Sequence, residues 1–273
     1  LPLGESLRIC LLHAWAGVRD ASNWHDSIAA IYSSKTLQVQ TAKCFLLNGL
    51  IFLGSLYMFD LILRPSLAFF TTWFVCDAVQ ICWVYPIYCL SFFLNSLWYQ
   101  KVADHAYRLR EGRSASAQIS YDRLVNRLTD EVYRALLFFN YVVFATMAYA
   151  IPLVGPLLSF AYACWIAAFY SFEYDWINRG WTMDQRMDYF ETHWAYFAGF
   201  GLPSTAVTFF FPQFVSTGIF ALLFPVFVIM SNMARPVPRR RDNPQTLSAH
   251  IPRRLPVFSP AKRMNLIWIR RLS

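Results

Sequence analysis

Charge is what this sequence has least of. Of its 273 residues only 15% are charged, while 57% are hydrophobic and 18% aromatic. A soluble domain carries about 25% charged and about 45–50% apolar residues, so this chain has more apolar surface than one soluble core absorbs, and a bilayer is the solvent that accepts it. The marks of catalysis are missing too. There is no Gly-rich phosphate loop, nucleophile elbow or HExxH. The cysteines (Cys10, Cys44, Cys76, Cys82, Cys89, Cys164) form no CxxC pair, and His13, His25, His105, His193 and His250 stand far from any ligand spacing. Cys82 and Cys89 share a helix face, but as small apolar residues. No enzyme, metal or cofactor is expected. No N-x-[ST] sequon occurs. A cleavable leader is not expected either: the apolar stretch LRICLLHAWAGV is short, and Arg19 and Asp20 follow it without a small-residue cleavage site. An amphipathic helix on the cytoplasmic membrane surface suits Leu1 to Val18.

Long uncharged runs fill the rest. Cys44 to Leu63 holds one acid, Asp60, and Asp77 to Trp98 carries Pro86 near its middle. Ala135 to Ile151 and Leu157 to Phe172 form a pair around PLVGP, and Ala195 to Phe211 and Phe214 to Ser231 form another around Pro212 and Gln213. A helix needs about 20 residues to cross the hydrocarbon. The first two runs meet that length, and the paired runs sit at or below the lower limit, as short spans or re-entrant hairpins do. Soluble bundle helices would keep a polar face at period 3.6, which these runs lack. The expected fold is an all-α membrane protein of long transmembrane helices plus short paired helical hairpins, either spanning or hemi-penetrating.

If every run crosses, or every hairpin dips and returns, both termini share one side. That side collects Arg8, Arg19, Lys35, Lys43, the basic residues of 101–134, Arg179, Arg186 and the arginines of the tail, leaving only Arg64 opposite. Basic residues gather on the cytoplasmic face, so both termini are expected in the cytoplasm. The net charge of +8 then favours a bilayer with anionic headgroups at that face rather than nucleic acid. The expected organisation is a cytoplasmic amphipathic segment at 1–43, a membrane domain at 44–234 with cytoplasmic loops 100–134 and 173–194, and a basic, Pro-rich, disordered tail at 235–273. MNLIWIRRLS at the end suits a short piece lying on the membrane. In the first loop Tyr121, Leu124, Leu128 and Val132 form an amphipathic stripe after a break at Gly112–Ala117.

One charged, aromatic block interrupts the apolar chain at Ser171 to Arg186. Asp175 and Arg179 are an i, i+4 pair, Gly180 suits the residue after a helix end, and Thr182 with Gln185 has capping-box spacing. The next helix puts Met183, Met187, Phe190 and Trp194 on one face. The block therefore reads as a cytoplasmic helix–turn–helix elbow, with Tyr174, Trp176, Trp181, Trp194 and Tyr196 at belt positions and Glu173 needing a partner from Arg179 or Arg186.

The same block carries a resemblance. FEYDWINRG (172–180) with Phe172, Glu173, Tyr174, Trp176, Asn178, Arg179 and Gly180, then Gln185-Arg186, then WAYFAGFGLP (194–203) with Trp194, Gly199, Gly201 and Pro203, resembles the etoposide-induced, p53-responsive membrane protein family of the endoplasmic reticulum. WVYPIYCLSFFLNSLWYQKVADHA (83–106), with Trp83, Pro86, Asn95, Trp98, Gln100 and Asp104, and LFPVFVIMSN (223–232) fit in the same order. That family is similar to the bacterial sulfate permeases of the CysZ type. The loop after the N-terminal segment is shorter than in the animal members, and the tail departs from them. The resemblance implies a non-enzymatic, multi-pass endoplasmic-reticulum protein acting late in macroautophagy. It also implies autophagy or apoptosis regulators as partners, and self-association. The competing class is an anion transporter for sulfate-like ions. There GFGLP would open a half-helix whose free N–H groups face an anion, with Arg179 or Arg186 as the cation; the plainer reading makes those residues a turn into the fifth run. A third class is a scaffold that recruits partners through loop 100–134.

Overall fold

The computed structural model describes residues 2–66, 73–112, 136–137, 139–237 and 251–272, and every regular element among them is a helix. In chain order these are α1 (Leu3–Ala21), α2 (Trp24–Ser33), α3 (Lys35–Ser66), α4 (Trp73–Glu111), α5 (139–149), α6 (Gly155–Asn178), α7 (Met183–Thr192), α8 (Trp194–Thr208), α9 (Gln213–Met233) and α10 (Ser259–Leu272). Four stretches among the described residues are long and apolar enough to cross a bilayer: Lys35–Ser66, Ile81–Glu111, Gly155–Asn178 and Phe214–Met233. The protein is an all-α membrane protein.

The paired runs are unequal. Each contributes one long helix, α6 with 24 residues and α9 with 21, and one short arm. The 15 residues of α8 rise only about 22 Å at about 1.5 Å per residue, short of the roughly 30 Å hydrocarbon core. Tyr141 of α5 meets Tyr162 edge-on at 5.1 Å, so the described part of α5 lies beside the first half of α6. The turn between them closes tightly: Leu153 has φ 68, and a Cβ on Gly155 would sit 2.6 Å from the carbonyl oxygens of Ala148 and Tyr149.

Two boundaries differ from the expected ones. α3 begins at Lys35 rather than at residue 44, because Ser34 caps its first turn by accepting from the Leu37 N–H at 3.5 Å. α4 continues past Trp98 to Glu111, absorbing the first part of the expected loop, and ends where Gly112 adopts φ +86. The stripe Tyr121, Leu124, Leu128 and Val132 lies outside the described residues.

The N-terminal segment packs on the bundle. Added Cβ atoms at Gly17 and Gly199 would lie 2.1 Å from the Tyr196 oxygen and 1.9 Å from the Ala14 oxygen, so the backbones of α1 and α8 touch. Asp20 accepts from the Tyr196 hydroxyl at 2.7 Å and from the Arg235 N–H at 3.2 Å. Residue 14 against 199 and residue 20 against 196 mean that the two helices run antiparallel. The start of α1 therefore points toward the end of α8. Small residues made this approach available, Ser6, Gly17 and Ala21 being buried, while Leu3, Leu7, Leu11, Leu12 and Trp15 stay exposed on the other side.

Disorder also fails as a description of part of the tail. Val257, Phe258 and Ala261 belong to the main apolar core, and α10 follows. Prolines prevented a helix over 251–258 without preventing packing.

Candidate functional site

The elbow assembles as its sequence suggests, with more closure than the spacing shows. α6 ends in a Schellman turn: the Gly180 N–H donates to the Ile177 oxygen and the Trp181 N–H to the Trp176 oxygen, both at 3.0 Å, with Gly180 at φ +74. The apolar contact that accompanies such a turn is here a stack of Trp176 on Trp181, 6.2 Å between centroids and 9° between planes. Thr182 and Gln185 form the reciprocal capping box that starts α7.

Both elbow arginines are engaged within the elbow. Arg179 Nε donates to Asp175 Oδ2 at 2.8 Å, and its guanidinium lies 5.9 Å from the Trp181 ring. Arg186 donates through Nε and Nη2 to the Trp181 oxygen at 3.0 and 2.8 Å, and its Nη1 stands 3.7 Å from Glu173 Oε1. Glu173 therefore has the partner its burial demands. Behind these charges Phe169, Phe172, Trp176, Phe190, Phe197 and Phe200 make a continuous edge-and-face cluster. Burial pushes the Tyr189 phenol beside it up to about 12. Asn178 is also buried here.

The tail closes the other side. Glu191, only 2% exposed, accepts from Arg254 Nε at 3.0 Å and Nη2 at 2.7 Å, and its second oxygen accepts from the Phe258 N–H at 3.2 Å. Its main-chain oxygen takes the Leu255 N–H at 3.1 Å. Arg254 also pairs with Asp188, and its guanidinium is held charged above the usual arginine range, first by the hydrogen bond to Glu191. Phe258 then inserts between Tyr141, Phe169 and Phe190. Trp194 of the family motif donates to the Pro252 oxygen at 3.3 Å.

GFGLP does not open a helix. α8 starts at Trp194, so Gly199, Gly201 and Pro203 lie inside it. The N–H groups imagined at Gly199 and Gly201 are interior to the helix. The glycines serve contact instead: a Cβ at Gly201 would fall 1.8 Å from the Cys164 oxygen of α6, as one at Gly199 would strike α1. With Arg179 and Arg186 both engaged, the anion site outlined from the sequence is not assembled at the elbow.

The second family block runs along α4 without converging on one point. Asn95 exchanges hydrogen bonds with Asn48 of α3, 2.9 and 2.7 Å. Beside them the Tyr99 hydroxyl donates to the Ala221 oxygen of α9 at 2.6 Å, and Asn48 Nδ2 lies 3.1 Å from the same oxygen. Ala221 stands four residues before Pro225, which has no N–H to return to that carbonyl; the Tyr99 hydroxyl supplies the missing donor, with the Asn48 amide beside it. Asn48 also reaches the Cys44 oxygen at 2.9 Å, where α3 passes into a π-helical stretch over Leu46–Leu53. The remaining motif residues spread out. Trp98 lies 6.0 Å under the Lys43 ammonium, and Trp83 packs against Phe52, Leu56 and Val84. Pro86 is inside the helix, Gln100 is half-buried, and Asp104 keeps one buried oxygen without a hydrogen-bond partner among the described residues.

Sequence reasoning missed Asn48, Tyr99, Asp20, Glu191, Arg254 and Phe258. Asn48 had a readable signal, a lone amide inside an apolar run. The other contacts join segments far apart in the chain and leave no local spacing to read.

Long apolar helices, short paired arms, an ion-paired elbow and a mid-helix amide cluster define a multi-helix membrane protein whose polar groups are organised around helix packing. The family model described as "Sulfate transporter CysZ/Etoposide-induced protein 2.4" matches residues 23–225, and the chain belongs to this EI24 family. It is 34% identical to the Protein EI24 homolog of Dictyostelium discoideum over 251 residues, 89% of this chain and 79% of the relative. It is 29% identical to the Protein EI24 homolog of Arabidopsis thaliana over 298 aligned residues, 92% of each. With Ectopic P granules protein 4 of Caenorhabditis elegans it shares 28% identity over 149 residues, 54% of this chain and 47% of that one. No solved structure matches the chain.

Proposed function

We propose that this chain is a non-enzymatic endoplasmic-reticulum membrane factor of macroautophagy, acting where autophagosomes mature. The end where Asp20 meets Arg235 and Ser34 meets His105 faces the cytoplasm and its anionic headgroups, with α1 beside α8. Family membership carries the reading, and the closed elbow supports it. The charges there tie α6, α7 and the tail into one packed body, the construction of a scaffold that presents a fixed cytoplasmic face to autophagy or apoptosis regulators or to a second copy.

The test is removal and rescue. Cells of the source organism lacking the chain should accumulate undegraded autophagosomes and recover with the intact sequence. Normal autophagic turnover in such cells would overturn the reading.

The family description favours a second reading, transport of a sulfate-like anion. Uptake of radiolabelled sulfate into liposomes holding the purified chain decides it, with an Arg179→Ala/Arg186→Ala variant alongside. Because both arginines are engaged in the elbow, any uptake is expected to survive that variant unless the protein unfolds, and loss of uptake from a folded variant would put the elbow back on an anion path.

A further inference from the structure

We infer that the start of α10 and the middle of α5 form a site for the phosphate of an anionic phospholipid headgroup. Between these helices lies an open surface groove of about 380 Å³ lined by Phe144, Ser259, Pro260, Arg263 and Met264. Its polar lining is one guanidinium and one hydroxyl, donors suited to a phosphate oxygen. Phe144 and Met264 supply apolar wall. The inference rests on the reading above that the basic end of the bundle meets a headgroup layer.

Three observations favour a lipid over other occupants. Arg179, Arg186 and Arg254 each meet a carboxylate, whereas Arg263 makes no ion pair with a described residue and is exposed on the groove. The sequence of α10, SPAKRMNLIWIRRL, holds four cations and no acid, so nothing on the helix competes for an anion, and an acidic ligand is drawn there. The apolar surface beside the groove also continues along α5 at Met147, one turn on from Phe144 and exposed, where an acyl chain can lie. α10 is held in place for this. Asn140 Nδ2 donates to Asn265 Oδ1 at 2.5 Å, and Phe258, just before Ser259, is anchored in the core.

The experiment follows thermal unfolding of the full chain in detergent micelles, titrated with short-chain phosphatidic acid, short-chain phosphatidylcholine and inorganic phosphate. Phosphatidic acid should raise Tm more than phosphatidylcholine, because a ligand bound only by the folded state stabilises it. Arg263→Ala should lose most of that rise while unfolding normally without lipid, since Arg263 is exposed; Arg263→Lys should keep part of it. Ser259→Ala should weaken the apparent affinity a few-fold. Equal rises in the intact chain and Arg263→Ala would overturn the site, placing binding elsewhere on the basic face. A rise with inorganic phosphate matching phosphatidic acid would overturn the lipid as occupant. Protease protection of α10 in sealed vesicles reads the orientation separately, so a failure there leaves the groove's chemistry standing.

Discussion

The elbow body and the α3–α4–α9 bundle solve one problem with different chemistry. Both must lock helices that have little polar surface. Around α6, α7 and the tail the locks are charges, Asp175 with Arg179, Glu173 with Arg186 and Glu191 with Arg254, each backed by packed aromatic rings. Between α3, α4 and α9 the described residues make no ion pair: Asn48, Asn95 and Tyr99 pair with one another and with a carbonyl released by Pro225, and the charge beside them, Lys43, rests on the Trp98 ring. The difference follows from the solvent outside. An ion pair near water keeps part of its hydration, whereas in hydrocarbon a charge left alone costs far more than an amide. Neutral amides suit the half that lipid surrounds.

Glycine contact separates both halves from the largest expected failure. α8 serves the elbow only because α1 and α6 approach it at backbone distance, so Gly201→Ala, with its Cβ at 1.8 Å from the Cys164 oxygen, should cost more than about 3 kcal/mol. Gly199→Ala should behave alike, and Gly4→Ala, with nothing within 4 Å, should be neutral. Thermal unfolding and membrane yield of the three variants measure this. A mild Gly201→Ala would show that α8 can slide, and that the elbow does not need this fixed seat.

The tail clamp comes next. Glu191→Ala leaves the Phe258 N–H without its acceptor and Arg254 with Asp188 alone, an expected loss of about 2 kcal/mol after allowing for the half-exposed guanidinium. Limited proteolysis should then cut within 251–258 well before global unfolding. Glu191→Gln, which keeps an acceptor without its charge, should fall between. Cleavage no faster than in the intact chain would mean Phe258 alone holds the segment.

For the bundle the expected effect is smaller. Asn48→Leu should cost about 1–2 kcal/mol by leaving Asn95 and part of the Ala221 carbonyl's capping unmatched. The pair Asn48→Leu/Asn95→Leu should cost less than the two single changes summed, because the second removes the stranded amide. Additive losses would show that the amides act separately, and the contrast between paired charges and paired amides would fail.

How far the chain could be read in advance follows the same division. The elbow was legible because its signals are local: Gly180 after a helix end, Thr182 and Gln185 three apart, Asp175 and Arg179 four apart. The membrane helices were legible as apolar length. What escaped depends on partners far along the chain. Glu191 looks like an ordinary surface acid until Arg254 arrives, 63 residues later. GFGLP looks like a turn, because glycine and proline together usually make one; here the glycines admit neighbouring backbones, a demand visible only once α1 and α6 lie against α8. The packing of the N-terminal helix on α8 escaped for the same reason, its small residues having no visible partner.

The smallest expected effect tests whether the charges of the elbow are equal in weight. Asp175 is buried while Arg179 is about one-third exposed, with side-chain exposures of 5% and 35%. The pair also spans a single helix turn, so it ties no two segments together. Such i, i+4 pairs contribute about 0.3–0.5 kcal/mol, and the desolvation of Asp175 offsets much of its attraction to Arg179. Asp175→Asn should therefore move the unfolding free energy by no more than about 0.5 kcal/mol, and added salt should narrow even that difference. The clamp at Glu191 joins α7 to the tail, and its loss should remain measurable in high salt. An Asp175→Asn loss as large as that of Glu191→Ala would show that the Schellman turn depends on this pair, and the elbow would then be one electrostatic unit instead of a local pair beside a long-range clamp.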